Sequence, residues 1–407
     1  MTGSLLLLAP IEPCGSGNGL AMRAAAITGA AADAGWDVRV AVVPVAGHLP
    51  TCPRPVAVPV TDVVPSGRTV LARRFAALVA DPRWRTLLAA ADPLPGPARA
   101  APVALADDVV GAAGVGPGTP VVVLRSYLAP LALAVAQLLH APWSALDLDD
   151  DDEAMAAAGG DDATAAAYGR LVATMAPHFD AVSLASPLDA AVLGRRHGLD
   201  THVVPNAVRI PDVVTRHPEP GGVLFVANLG YEPNVHAARL LVEQVLPALE
   251  AATGDRVRVT LVGAFDPHGP VAALAAQRAV TLTGFVDDLD DHYARAAVVV
   301  APLATGSGTR IKLLEAFAHG VPVVTTPVGM AGLAVRPGEH VLVGETPQDL
   351  AEAAAEVLGS PARAEDLAAA ALTFVRRHHA EPVVAERVRA FLSAARSAAS
   401  ARGDVRR

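Results

Sequence analysis

The sequence predicts two doubly wound α/β domains joined near residue 208. Short apolar runs alternate with helical stretches twice, once on each side of a proline-bearing junction. Each half carries a glycine-rich loop between an apolar run and a helix, at 14–19 and at 306–308. The 407 residues exceed what one compact core normally holds, so two domains are expected.

In the first half, Leu5–Ala9 reads as a buried strand, and CGSGNGLAMR (14–23) as a loop opening a helix that runs to about Gly35. Val38–Val43 reads as the next strand. Residues 65–100 read as helical, punctuated by prolines. Val121–Leu124 is a short buried strand with Arg125 just past its end. Ser144–Leu148 is another, running into Asp149, Asp150, Asp151, Asp152 and Glu153. A helical stretch at 154–177 breaks at Gly159-Gly160, and Ala181–Ala185 and His202–Val204 complete the set. Pro205 to Pro220 marks the junction.

The second half repeats the plan. Its strands are expected at Val223–Ala227, Val257–Val262, Val280–Thr283, Ala297–Ala301, Val321–Thr325 and Val341–Val343. Helices are expected at 234–250, 268–278, 287–296, 309–319, 347–358 and 361–378. The expected domains are 1–208, 209–378, and a 379–407 helix and tail.

Residues 301–326, APLATGSGTRIKLLEAFAHGVPVVTT, carry the most chemistry. An apolar strand runs into Gly306, Ser307, Gly308 and Thr309, then into a helix opening with Arg310 and Lys312. Loop N–H groups, the positive end of a helix and two cations suit a diphosphate. Cations are unfavourable at that helix end unless an anion joins them. Glu315, one turn on, can accept ribose hydroxyls. The plain alternatives are a βα turn with surface cations and a solvated glutamate.

GSGTRIKLLEA resembles the donor signature of retaining glycosyltransferases of the GT-B fold, in the GT4 family, as do FVANLGYEPNVHAARLLVEQVLPAL (225–249), LVG (261–263) and GFVDDLDDHYARA (284–296). The likeness spans roughly residues 200–355. It implies two Rossmann-like domains facing across a cleft, with the C-terminal helix crossing back to the first. It also implies Glu315 as the ribose ligand, and departs from the family's glutamate pair at Ser307. By the same resemblance, the loop with Gly17, Asn18 and Gly19 faces the donor phosphates and the acceptor across the cleft. Arg125, just past a strand end, is an acceptor-side candidate, and Asn228 is expected to contact the donor where many members place an arginine and a lysine. Arg310 and Lys312 then stabilise the departing diphosphate, with no metal, cofactor or protein nucleophile.

Arg23 is open between a cleft contact and a surface residue. The acidic run at 147–152 is read as structural or acceptor-facing rather than a metal site. Asp287 to Asp291 are first-turn helix acids, and His319 is a helix cap.

The formal net charge of −9 argues against a general nucleic-acid binder. The longest apolar stretch, Ala129 to Leu139, is short of the roughly 20 residues that cross a membrane. The opening MTGSLLLLAPIEP lacks a basic region ahead of its apolar run, and is expected to be a strand rather than a signal peptide. Cys14 and Cys52 lack metal-ligand spacing, so a reduced pair in a cytoplasmic protein is expected. The expected function is sugar transfer from a nucleotide-diphosphate sugar to an acceptor hydroxyl of a natural product, glycan or lipid, with retention. A nucleotide-sugar 2-epimerase and a non-catalytic partner subunit are the alternatives.

Overall fold

The computed structural model describes residues 3–43, 45, 52, 54–64, 94–277, 279–305 and 310–405. They form two compact units. Unit 1 is Met1–Ala207 with Pro382–Arg407, and unit 2 is Val208–Glu381.

Unit 1 is built on a parallel sheet of β1 (Ser4–Ala9), β2 (Asp37–Val42), β3 (Val60–Asp62), β4 (Val121–Leu124), β5 (Ser144–Asp149), β6 (Ala181–Leu184) and β7 (Thr201–Val203). Their order is β3-β2-β1-β4-β5-β6-β7, with Leu7 opposite Val40 and Val122. Leu5 to Leu8 are fully buried. Successive side chains alternate between faces, so Leu6 and Leu8 pack in one layer with Leu131 and Val135, and Leu5 and Leu7 in the other with Ile27. A strand buried on both faces reads as an unbroken apolar run, which is why this one is visible in sequence.

The helices of this unit are α1 (Gly19–Asp33), α2 (Gly96–Ala100), α3 (Ala106–Ala113), α4 (Ala129–Leu138), α5 (Asp152–Ala158), α6 (Asp162–Met175) and α7 (Pro187–His197). Asn18 starts α1, its side chain accepting from the N–H groups of Leu20 and Ala21. The Gly159-Gly160 break separates α5 from α6. Most of the helical reading at 65–100 falls outside the described residues; 96–100 is helical.

The expectation of reduced cysteines is corrected. Cys14 and Cys52 form a disulfide, their Cα atoms 5.7 Å apart. The segment ahead of β3 runs beside the β1–α1 loop, where Cys14 bridges to Pro55 and Gly15 N–H donates to Arg54 O at 2.9 Å. Chain routing thus joins two cysteines 38 apart in sequence. The bridge removes the cysteine argument for a cytoplasmic location.

Unit 2 has β8 (Gly222–Val226), β9 (Arg258–Val262), β10 (Val280–Gly284), β11 (Val298–Ala301), β12 (Val323–Thr325) and β13 (Leu342–Val343), parallel, in the order β10-β9-β8-β11-β12-β13. Its helices are α8 (Glu232–Leu240), α9 (Leu246–Thr253), α10 (Pro270–Leu274), α11 (Asp290–Arg295), α12 (Ile311–Ala318), α13 (Pro327–Met330), α14 (Pro347–Gly359) and α15 (Pro361–His378). The single helix expected at 234–250 is interrupted by a π turn, Leu241–Val245. Pro247 lacks an N–H and crowds the carbonyl four residues back, and a wider turn relieves both.

The last helix, α16 (Glu381–Val405), belongs to unit 1 from Pro382 onward. Val384, Val388, Phe391 and Leu392 are buried with Leu5, Leu7 and Ile27. Each such side chain contributes about 1.5–3 kcal/mol on burial. Among the described residues no helix is long and apolar enough to cross a membrane.

Candidate functional site

In an open parallel sheet, ligands bind at the carboxyl edge where the strand order reverses. In unit 2 that point lies between β8 and β11. Asn228 and Asn234 follow β8, and Arg310 and Lys312 follow β11, so the topology brings these segments together. Lys312 Nζ donates to Asn234 Oδ1 at 2.6 Å, and Asn234 Nδ2 donates to the carbonyl of Asn228 at 2.9 Å. The Asn228 side chain accepts from Gly230 N–H at 3.0 Å. Lys312 Nζ also sits 5.5 Å from the centre of the Phe225 ring.

Arg310 is the N-cap residue of α12, without a side-chain cap bond. It is 9% exposed, and its Nη2 donates to Val328 O at 3.3 Å. Two further bonds tie the ends of β11 and β12: Thr325 Oγ donates to Ala301 O at 2.6 Å, and Thr326 Oγ to Leu303 O at 2.5 Å. Beside them β8 and β9 converge so closely that a Cβ on Gly263 would meet Ala227 O at 1.7 Å.

Burial, then the charge of Arg310, lowers Lys312 to about 8. Burial raises Glu315 to about 7, against the pull of Tyr293 and Lys312. Burial and the Glu315 charge hold the Tyr293 hydroxyl well above its ordinary value. Tyr293 stacks on His319 with ring centres 4.5 Å apart. His319 ends α12, its Nδ1 donating to Glu315 O at 2.7 Å, as a helix cap should. The result is two cations at the positive end of α12 and a half-buried carboxyl one turn below. Gly306, Ser307, Gly308 and Thr309, expected to cradle the diphosphate, lie outside the described residues.

Sequence reasoning put no weight on Asn234 as the partner of Lys312, and it missed Tyr293. Tyr293 comes from α11, and nothing local marks it as the neighbour of Glu315.

Unit 1 reverses its strand order between β1 and β4. Gly17, Asn18 and Gly19 follow β1 and Arg125 follows β4, so all four residues lie at that edge. Gly17 has φ 88°, a conformation that favours glycine. Arg125, expected on the acceptor side, is tied into a network of aspartates. Its Nη1 donates to Asp149 Oδ2 at 3.3 Å and Asp150 Oδ2 at 3.4 Å, and its Nη2 to Asp152. Burial opposes its charge, but the aspartates more than offset that and raise it well above its ordinary value. Arg125 and Asp149 both have positive φ, 82° and 63°, a costly conformation for such residues.

Arg23 is 2% exposed, so it is not a surface residue. Its Nε and Nη2 both donate to Asp147 at 2.8 Å, and its Nη1 to Val204 O and Asn206 Oδ1. Burial, then the Asp149 charge, raises Asp150 to about 7. Asp151 caps α5. Among the described residues, no group of three His, Cys, Asp or Glu side chains is arranged to hold a metal ion.

Residues 220–360 match the model of the group 1 glycosyl transferases. Sucrose-phosphate synthase from Thermosynechococcus elongatus is similar at 15% identity and TM-score 0.67, over 97% of this chain and 98% of its own. HepE from Anabaena, solved with UDP and glucose, is similar at 15% identity and TM-score 0.64, over 97% and 100%. A mutant TarM from S. aureus, in complex with Fondaparinux, alpha-GlcNAc-glycerol and UDP, is similar at 13% identity and TM-score 0.55, over 66% of this chain. The chain spans 54% of that TarM chain. At such identities the likeness is one of fold. No curated protein matches the chain in sequence. The chain thus has the GT-B fold, and its residues 220–360 are similar to the group 1 glycosyl transferases.

Proposed function

We propose that this protein transfers a glycosyl group from a nucleotide-diphosphate sugar to an acceptor hydroxyl, with retention of configuration and without a metal ion. The observation that carries the reading is Arg310 and Lys312 at the positive end of α12, beside the switch point of the unit 2 sheet. That arrangement is electrostatically unfavourable until an anion joins it. A diphosphate supplies the anion, with Gly306, Ser307, Gly308 and Thr309 as its remaining cradle. Glu315 accepts the ribose hydroxyls. As the glycosidic bond breaks, Arg310 and Lys312 hold the charge growing on the diphosphate. The diphosphate takes the acceptor proton on the same face, so positioning and charge stabilisation do the catalysis. The acceptor binds through the unit 1 edge at Gly17, Asn18 and Gly19, with Arg125 holding the aspartates behind them.

Calorimetry with UDP, GDP, dTDP and ADP tests this reading. UDP comes first because the HepE and TarM structures hold it. One nucleotide should bind at micromolar concentration, and Arg310→Ala should weaken it about tenfold or more. Folded protein that binds none of the four would overturn the proposal. Donor consumed without acceptor would indicate the epimerase instead. Activity retained in a chelator, and a product with the donor's anomeric configuration, would support the finer points.

A further inference from the structure

Unit 2 contains a cavity apart from the donor residues. It measures about 530 Å³ and is lined by Arg336, Glu339, His340, Thr373, Phe374 and Arg377, between the loop before β13 and the last turns of α15. That volume suits a small organic molecule.

His340 is 8% exposed, and its Nδ1 accepts the backbone N–H of Arg336 at 2.9 Å. In the neutral ring the proton therefore sits on Nε2. Burial favours that neutral form, lowering the ring from its ordinary value. Glu339 Oε1 lies 3.7 Å from Nε2, beyond hydrogen-bond reach, and is already engaged by Arg336. That leaves the Nε2–H, with Glu339 as its nearest carboxylate, to the cavity that His340 lines. Arg377 is exposed on the opposite wall and pairs with no carboxylate among the described residues. Phe374, 7% exposed, also lines the cavity, with the His340 and His378 rings at 5.3 and 5.0 Å.

A basic last turn on α15 is favourable to the helix itself, which accounts for Arg377. It does not account for a buried histidine donor on a different segment, or for the space between them. We infer that this cavity binds a small phosphate monoester, its phosphoryl oxygens on Arg377 and His340 Nε2 and its organic body against Phe374. Donors from two separate walls suit a tetrahedral oxyanion better than a planar carboxylate. The last turn of α15 leads into the stretch where Val208 N–H donates to His379 O at 2.9 Å and Val208 bridges Ala380. An occupant therefore stiffens the turn beside both passages of the chain between the units.

The test is calorimetry with inorganic phosphate, a hexose phosphate and a neutral hexose, in Arg310→Ala protein so that the donor residues contribute little. The hexose phosphate should bind saturably and more tightly than inorganic phosphate, and the hexose should not bind. Adding Arg377→Ala, at an exposed helix end where folding is little affected, should weaken binding about tenfold. Amide exchange at 374–380 should slow on binding. Binding of neither phosphate, equal affinity for hexose and hexose phosphate, or affinity unchanged by Arg377→Ala would each overturn the inference.

Discussion

Lys312 and Glu315 sit one turn apart on α12, and burial moves each toward its neutral form. With Lys312 lowered to about 8, its cation fades as pH rises through that value. Nucleotide affinity, measured by calorimetry, should fall above about pH 8 as Lys312 loses its proton and below about pH 7 as Glu315 gains one, and Lys312→Met should flatten the alkaline limb. For Glu315, a folded value raised to about 7 gives stability that is complete below the ordinary carboxylate range. It is lost as pH rises through about 7. Above that pH the half-buried charge is a burden, so Glu315→Gln should raise thermal stability, by about 1–2 kcal/mol. The same change should weaken nucleotide binding, because an anionic acceptor for the ribose is gone. A variant that gains stability and loses affinity marks a carboxylate kept for function. A variant that loses both would make Glu315 structural.

The strands were legible because parallel strands between two helical layers are apolar on both faces; LLLL in β1 and VVV in β11 need no partner to be recognised. Helix ends were less so: the helix expected at 268–278 is Pro270–Leu274, and that at 309–319 is Ile311–Ala318. Arg310 and Lys312 were visible because their placement conflicts with the helix dipole. Arg23 was undecidable, since its partner Asp147 lies 124 positions away, and neither local spacing nor composition carries that pairing. The disulfide was invisible for the same reason. The α1–β5 pairing also sets a prediction. Asp147→Ala leaves the buried Arg23 guanidinium with only Asp149, 3.4 Å away, as a carboxylate partner, and should cost up to about 3–5 kcal/mol in urea unfolding. A change below about 1 kcal/mol would mean that Asp149, Asn206 and Val204 O suffice.

Each unit has its own core, so heating should give two transitions rather than one. The nucleotide should raise the one belonging to unit 2. The Cys14–Cys52 bridge closes a 38-residue separation within unit 1, which by chain entropy stabilises it by about 4 kcal/mol. Dithiothreitol should therefore lower the unit 1 transition and leave the other in place; calorimetric scans with and without reductant check this. The helix Glu381–Val405 has a consequence for the order in which the protein comes into being on the ribosome. Unit 2 is one unbroken stretch, Val208–Glu381, whereas unit 1 needs Val384 to Ala395 to close its core. The half made first is thus finished last. Its Leu5 and Leu7 layer, covered in part by α1 alone, stays incomplete throughout synthesis of unit 2, and a nascent chain stalled near residue 380 would be a target for chaperones that bind apolar strands.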